Sequence, residues 1–215
     1  MAFGRRLVED YLEVIKASRL TPLVFEMEAE ALLRAVLPRG APGTSMIIDF
    51  GRTRTSFIIV HEGMVRFTST VGVAGEGLDR AIGHALKVEA AEAERIKKER
   101  GLVRTEKNEA VFGALLPTVS AIKDEVLRHM AYWNNHAEHV HKGKGTIERL
   151  YLAGGDSNLA GFLDYLSYEL KIPARLASPW VNITDFERYV PEIAASESLS
   201  YATAIGLALR SRYIV

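Results

Sequence analysis

Three short strands in quick succession constrain this chain more than any other feature. Met46 to Phe50, Phe57 to His61 and Met64 to Val71 are apolar and β-branched runs, and Glu62-Gly63 between the last two reads as a tight hairpin turn. Such a meander must bury a face, and the segments around it are helical in period. Leu7, Val8, Tyr11, Leu12 and Ile15 give residues 4–17 an amphipathic stripe, and Glu28 to Leu37 reads as a second helix. Between them, Leu20-Thr21-Pro22 is a break and Leu23-Val24-Phe25 a short buried strand. Pro38, Gly40, Pro42 and Gly43 form the clearest linker.

After the meander, Gly72 to Gly77 turns into a helix beginning near Leu78, and Glu89 to Arg100 is another helix that Gly101 can cap. A long helical pattern runs from Glu106 to Asn134, followed by a polar loop, His136 to Gly145. Leu150 to Ala153 is a strand, Gly154-Gly155 a sharp turn, Asn158 to Leu170 a helix and Ile172 to Ala177 a short strand. Residues 179–194 have no regular pattern, and Ser200 to Arg212 closes as an alanine-rich helix. A meander first and crossovers later predict an α/β fold with a mixed sheet and flanking helices.

Composition removes several function classes. The 27 basic and 27 acidic residues cancel, so the basic excess that grips nucleic acid is absent. With no cysteine, disulfides, zinc-thiolate sites and a cysteine nucleophile are excluded. No apolar run reaches the roughly 20 residues a membrane-spanning helix needs. Glu9, Asp10 and Glu13 interrupt the first helix where a signal peptide would need an apolar core. The chain is expected to be cytoplasmic, without direct membrane insertion, and to reach the inner face of the membrane only through partners.

Four segments carry chemistry. In Ile47-Ile48-Asp49-Phe50-Gly51-Arg52-Thr53-Arg54-Thr55, an aspartate ends an apolar strand and hydroxyls follow at fixed offsets. Such a turn can aim backbone N–H groups at phosphate, and its aspartate can hold the water shell of magnesium. The plainer alternative is a hairpin whose polar side chains satisfy local backbone. Gly72-Val73-Ala74-Gly75-Glu76-Gly77 is a glycine turn before a helix, and its order is not that of a dinucleotide fold. Glu94 and Lys97 share a helix face, which by itself reads as an ordinary solvated surface. Leu150 to Phe162 runs a strand into Gly154-Gly155 and then a polar triplet, Asp156-Ser157-Asn158. Two glycines let a ring or ribose approach the backbone, and Asp156 or Ser157 can equally be a plain helix cap. His136, His139 and His141 have loop-like spacing rather than that of a metal site.

Taken in order, the IIDFGxTxT hairpin, the glycine turn, the AExxK helix and the LAGGxSxLxGF turn resemble the actin, Hsp70 and sugar-kinase superfamily. Finer features resemble its PilM family of type IV pilus assembly proteins: Asp124 to Arg128 with Tyr132-Trp133 after it, Ile172-Pro173-Ala174 leading to Ser178-Pro179-Trp180, and the ending Tyr201 to Arg210. Ala74 and Ser178 depart from it, standing where glycine and asparagine are usual.

The resemblance implies an actin-like ATPase (ribonuclease H-like) fold that binds ATP and Mg2+. It assigns Asp49, Gly51, Thr53 and Thr55 to the phosphates, with Asp49 holding magnesium through water. Gly75, Glu94 and Lys97 would serve the nucleotide next to them, with the AExxK helix on the ribose, and Gly154, Gly155, Ser157 and Asn158 would hold the adenosine. Glu28, or Glu30 two residues on, falls near the water-orienting acid of the family. The implied partner is the N-terminal cytoplasmic peptide of the pilus inner-membrane protein PilN, with nucleotide acting mainly as a conformational ligand and hydrolysis weak or absent. The alternative is a filament-forming ATPase of cell division or cell shape, which would self-associate.

The superfamily carries two phosphate hairpins, and only one DxGxxxT segment is visible here. The second lobe is therefore expected to be complete and the first truncated. On that division residues 1–43 are a remnant of domain I, 44–198 are domain II, and 199–215 form a helix packing back toward domain I. Leu7, Leu12, Leu32, Val36, Ile205 and Leu209 are then expected to be exposed, and the part from Thr44 onward to fold without what precedes it. Gly161 is expected inside a helix, where alanine would be favoured.

Overall fold

A computed structural model describes residues 4–140, 145–183 and 189–212, with backbone alone for 136–140 and 212. Five strands, β1 (Thr44–Phe50), β2 (Thr55–His61), β3 (Met64–Val71), β4 (Ile147–Ala153) and β5 (Ala174–Leu176), form one sheet in the order β3-β2-β1-β4-β5. The meander pairs antiparallel, while β4 joins β1, and β5 joins β4, in parallel. Glu62 and Gly63 both have positive φ, the two-residue hairpin geometry whose twist matches the strands. Glu62 is held there by Gly43. The Gly43 N–H donates to its carboxylate at 2.8 Å, and its own N–H donates to the Gly43 carbonyl at 3.0 Å.

The return from β3 to β4 takes three helices, α3 (Gly75–Leu86), α4 (Ala90–Arg100) and α5 (Glu109–Val140). Alternation along β1 divides the core in two. Met46, Ile48 and Phe50 face α3, α4, α5 and α6 (Phe162–Leu170), together with Phe57, Ile59, Leu150 and Leu152. Ile47 faces the other way with Ile58, Val60 and Tyr151, and is covered by Leu32, Ala35 and Val36 of α2 (Glu28–Val36) and by Ala202 of α8 (Ala202–Leu209). The period of two thus gives three layers, helices over both faces of a mixed sheet.

Several expectations change. Leu32, Val36 and Leu209 are buried rather than exposed, because the Ile47 face of the sheet needs a cover and α2 and α8 supply it. Those two helices touch backbone to backbone: a Cβ built on Gly206 would stand 1.9 Å from the Ala31 carbonyl oxygen. Leu12 and Ile205 are half-buried, and Leu7 stays 51% exposed. Leu23-Val24-Phe25 is not a buried strand; Leu23 is 93% exposed, and no strand of the described residues pairs with the segment. The helix α1 (Arg5–Ala17) precedes it and buries no residue.

Over the first part of the predicted loop, from His136, α5 instead continues to Val140; residues 141–144 and the side chains of His136, His139 and His141 lie outside the described ones. The glycine turn is shorter than expected, with α3 starting at Gly75. Asn158 belongs to a 3-10 turn, Gly155–Asn158, and α6 starts only at Phe162. A one-turn helix, α7 (Ala195–Ser198), leads into the closing helix.

Candidate functional site

Parallel strands β1 and β4 end side by side, Asp49 opposite Ala153, and the chain turns at both ends. Carboxyl ends of adjacent strands are where α/β sheets place ligands. The β1–β2 turn, Gly51 to Arg54, is closed by the Gly51 N–H donating to the Arg54 carbonyl at 3.1 Å. Two more of its carbonyls are taken by the start of α3: Gly75 N–H donates to Gly51 at 3.0 Å and Glu76 N–H to Arg52 at 2.8 Å. The first N–H groups of α3 therefore clasp the turn. Thr55 is fully buried with its hydroxyl donating to the Val73 carbonyl at 2.6 Å, while Thr53 is exposed at the crest.

Asp49 faces the α2 side of the sheet, half-buried. Burial, followed by the nearby negative charge of Glu28, pushes its carboxyl up to about 6, with Arg54 opposing. Glu28 opens α2 and is gripped by Arg54, whose guanidinium donates to it at 2.8 Å; the Thr203 hydroxyl of α8 reaches its other oxygen at 3.5 Å. The structure therefore brings Glu28 and Asp49, 21 positions apart in sequence, to one strand end. Gly154 closes that end from the β4 side, where a Cβ would meet the Phe50 carbonyl oxygen at 2.5 Å and the Asp49 carboxylate at 2.6 Å.

On the other side of the turn lies a cleft of about 440 Å³ between α4, the Gly155–Asn158 turn and α7. Gly155 and Asn158 line it, as do Glu94, Arg52, Lys98 and Ser200. Ser157 and Asn158 act on the turn itself. The Ser157 hydroxyl is buried and donates to the Ala153 carbonyl at 2.5 Å, and the Asn158 amide bridges the carbonyls of Gly155 and Ser196. Neither Asp156 nor Ser157 caps α6, which is entered through Gly161.

Lys97 does not share the solvated face of Glu94. The residue is 5% exposed, and its ammonium lies 2.7 Å from Asp156 and 2.9 Å from Asp79. Burial works to lower its pKa, but the two aspartates outweigh that and hold it above the usual lysine value. Asp156 in turn fills the space over Gly75, where a Cβ would fall 2.0 Å from its carboxylate. The ion triad thus ties α3, α4 and the Gly155–Asn158 turn together. Glu94 remains at the cleft wall, where the Lys98 ammonium, bonded at 2.8 Å, holds its carboxyl below the usual range, and Arg52 stands 3.6 Å away.

Sequence reasoning missed Asp79, Arg52, Arg54 and the α7 residues as parts of this site. Asp79 is four residues after Gly75 and so on its helix face, a signal that was available. Nothing in the irregular stretch before α7 marked Ser196 or Glu197. The cleft carries four acids, Asp79, Glu94, Asp156 and Glu197, against three bases, Arg52, Lys97 and Lys98. Such mixed walls suit a neutral polar group with hydroxyls and amines better than a polyanion.

The model of the family described as type IV pilus assembly protein PilM matches residues 1–212. Among solved structures, a PilM–PilN type IV pilus biogenesis complex is similar with a TM-score of 0.72 and 22% identity, covering 94% of this chain and 57% of that one. MreB5 of Spiroplasma citri bound to ADP is similar with a TM-score of 0.74 and 18% identity, covering 99% and 67%. The archaeal actin homolog Ta0583 in complex with ADP follows at 0.58 and 14% identity. At these identities the likeness establishes an actin-like fold, and the chain spans little more than half of the PilM chain in the first complex.

Proposed function

This chain belongs to the PilM family of type IV pilus assembly proteins, and from that premise we propose that it is a nucleotide-responsive component of pilus assembly whose ligand is ATP with Mg2+. The observation that carries this reading is the shared strand end: Asp49 and Glu28 on one side of the Gly51–Arg54 turn, and a cleft floored by Gly155 on the other. The cleft would take the adenosine, with Glu94 and the Asn158 turn offering acceptors and amides. The phosphates would lie over the β1–β2 turn. Asp49 and Glu28 fit a hydrated magnesium ion, because two nearby carboxylates repel each other and a dication relieves that repulsion. Bound there, magnesium would supply charge neutralisation of the phosphates. Glu28 would orient water at that end, and in this conformation Arg54 occupies it.

The partner proposed is the N-terminal cytoplasmic peptide of PilN, with recruitment to the membrane through it. A ligand shifts a conformational equilibrium only by its differential affinity for the two states, and the resulting coupling is reciprocal. Calorimetry tests both halves. ATP should bind more tightly with magnesium than without, and Asp49→Ala should remove that difference. The PilN peptide should bind with different affinity in the presence of ATP. Magnesium dependence that survives Asp49→Ala takes Asp49 out of the site, and equal peptide affinity with and without nucleotide rejects the conformational role.

A further inference from the structure

The cation that the family motif offers to the nucleotide, Lys97, is committed. It is buried and shared between Asp79 and Asp156, whose combined charge exceeds its own. Moving it onto a phosphate would leave two buried carboxylates facing each other. The cations of the β1–β2 turn are held differently. Arg52 is 66% exposed and 3.6 Å from Glu94, and Arg54 is 60% exposed and 2.8 Å from Glu28. Ion pairs this exposed are weak and easily exchanged. A phosphate chain carries more charge than one carboxylate and accepts two parallel N–H bonds from a guanidinium. The two arginines also leave the turn toward opposite faces of the sheet, one to α4 and one to α2.

Resting on the ATP reading above, we infer that Arg52 and Arg54, rather than Lys97, recognise the phosphates, and that Arg54 gives up Glu28 when it does so. Arg52 stands at the cleft where the nucleoside would end, and Arg54 at the Asp49 end where the terminal phosphate would lie. The exchange makes occupancy legible to the rest of the molecule. Glu28 is the first residue of α2, which packs on the sheet and against α8. Freed from Arg54, its carboxylate becomes available to water beside Asp49, so phosphate binding and the release of the acid are one event.

The test compares adenosine with the β,γ-imido analogue of ATP, by calorimetry on the 215-residue chain with magnesium present. Arg52→Gln with Arg54→Gln should lower affinity for the analogue about tenfold or more, the scale of losing charge-assisted contacts, and lower that for adenosine far less. Glu28→Gln, titrated with magnesium omitted so that its role toward the ion does not enter, should act in the opposite direction, tightening the analogue because its competitor for Arg54 is gone. That gain should vanish in an Arg54→Gln background, since the cycle isolates the pair. Unchanged melting temperature shows that the exposed variants still fold. If the wild-type chain binds neither ligand, the ATP reading falls and this inference with it. If it binds the analogue, and the preference over adenosine survives the double substitution, the arginine assignment alone is overturned. A Glu28→Gln gain that persists without Arg54 likewise overturns the exchange.

Discussion

Asp49 and Lys97 both hold their protons more tightly in the folded chain, for different reasons: burial disfavours the Asp49 carboxylate, and two aspartates favour the Lys97 ammonium. Asp49 holds its proton more tightly folded than unfolded, with a carboxyl at about 6 against the ordinary 3.8. Its stabilising contribution is therefore complete below the unfolded value and is lost as pH rises through the folded one. Asp49→Asn should stabilise the chain at pH 8, by at most about 3 kcal/mol at roughly 1.4 kcal/mol per unit. The gain should be largely gone by about pH 4, where the folded carboxyl is protonated and the unfolded one is near its own midpoint. Urea titrations at the two pH values check this; an equal gain at both would place its origin outside the ionisation of Asp49. Lys97→Met should do the reverse and cost on the order of 3 kcal/mol, as removing one member of a buried ion cluster does. Adding Asp156→Asn should recover part of that loss in the same titration, because the stranded repulsion is then gone.

Among the elements, the passage from the Gly155–Asn158 turn into α6 is where pattern and structure part. Gly161 lies outside the helix with a φ of +79°, and a Cβ there would meet the Leu102 carbonyl oxygen at 2.4 Å. The apolar residues on both sides of it, Leu159 and Phe162, continue a helical spacing, so the interruption is invisible to period alone. Gly161→Ala should destabilise by more than about 1 kcal/mol, since the new residue is strained in the left-handed region as well as crowded. Gly155→Val acts elsewhere: its Cβ would stand 2.8 Å from the Ser200 hydroxyl, on the cleft wall. Melting curves and ATP titrations of the two variants should separate. Gly161→Ala should lower the melting temperature more, and Gly155→Val should lower affinity more. Parallel losses in both measurements would assign both glycines to folding.

For the whole molecule, two deletions ask what the N-terminal segment does. Removing residues 1–19 takes away α1, which has no fully buried residue, and the melting temperature should change little. It also removes the exposed Leu7, Tyr11 and Val14, so light scattering at high concentration should fall. Removing residues 1–43 should instead prevent stable folding, contrary to the expectation that the part from Thr44 folds without what precedes it. It would strip Ala29, Leu32, Ala35 and Val36 from Ile47, Ile58, Val60 and Tyr151. At about 1.5–3 kcal/mol for each large apolar side chain, that loss is comparable with the roughly 5–15 kcal/mol that holds a domain folded. Circular dichroism distinguishes the outcomes, and a cooperative melt of residues 44–215 would contradict the argument.

What the sequence determined by itself is local. Short apolar runs marked β1, β2 and β3, the Glu62-Gly63 pair marked the hairpin between the last two, and Gly154-Gly155 marked the turn at the end of β4. These depend on residues within a few positions, where backbone sterics and side-chain period act directly. The motif order was legible for the same reason, and it pointed to the family. The cover of the second sheet face, and the partners of each charge, were decided by tertiary structure. Glu94 and Lys97 lie three positions apart, yet one stays at the cleft wall and the other is buried on Asp156, 59 residues away. Glu28 reaches Arg54 only because α2 lies across the sheet. Whether a charge is spent on a neighbour or left to meet a ligand depends on which elements pack beside it, and no spacing within a single segment carries that information.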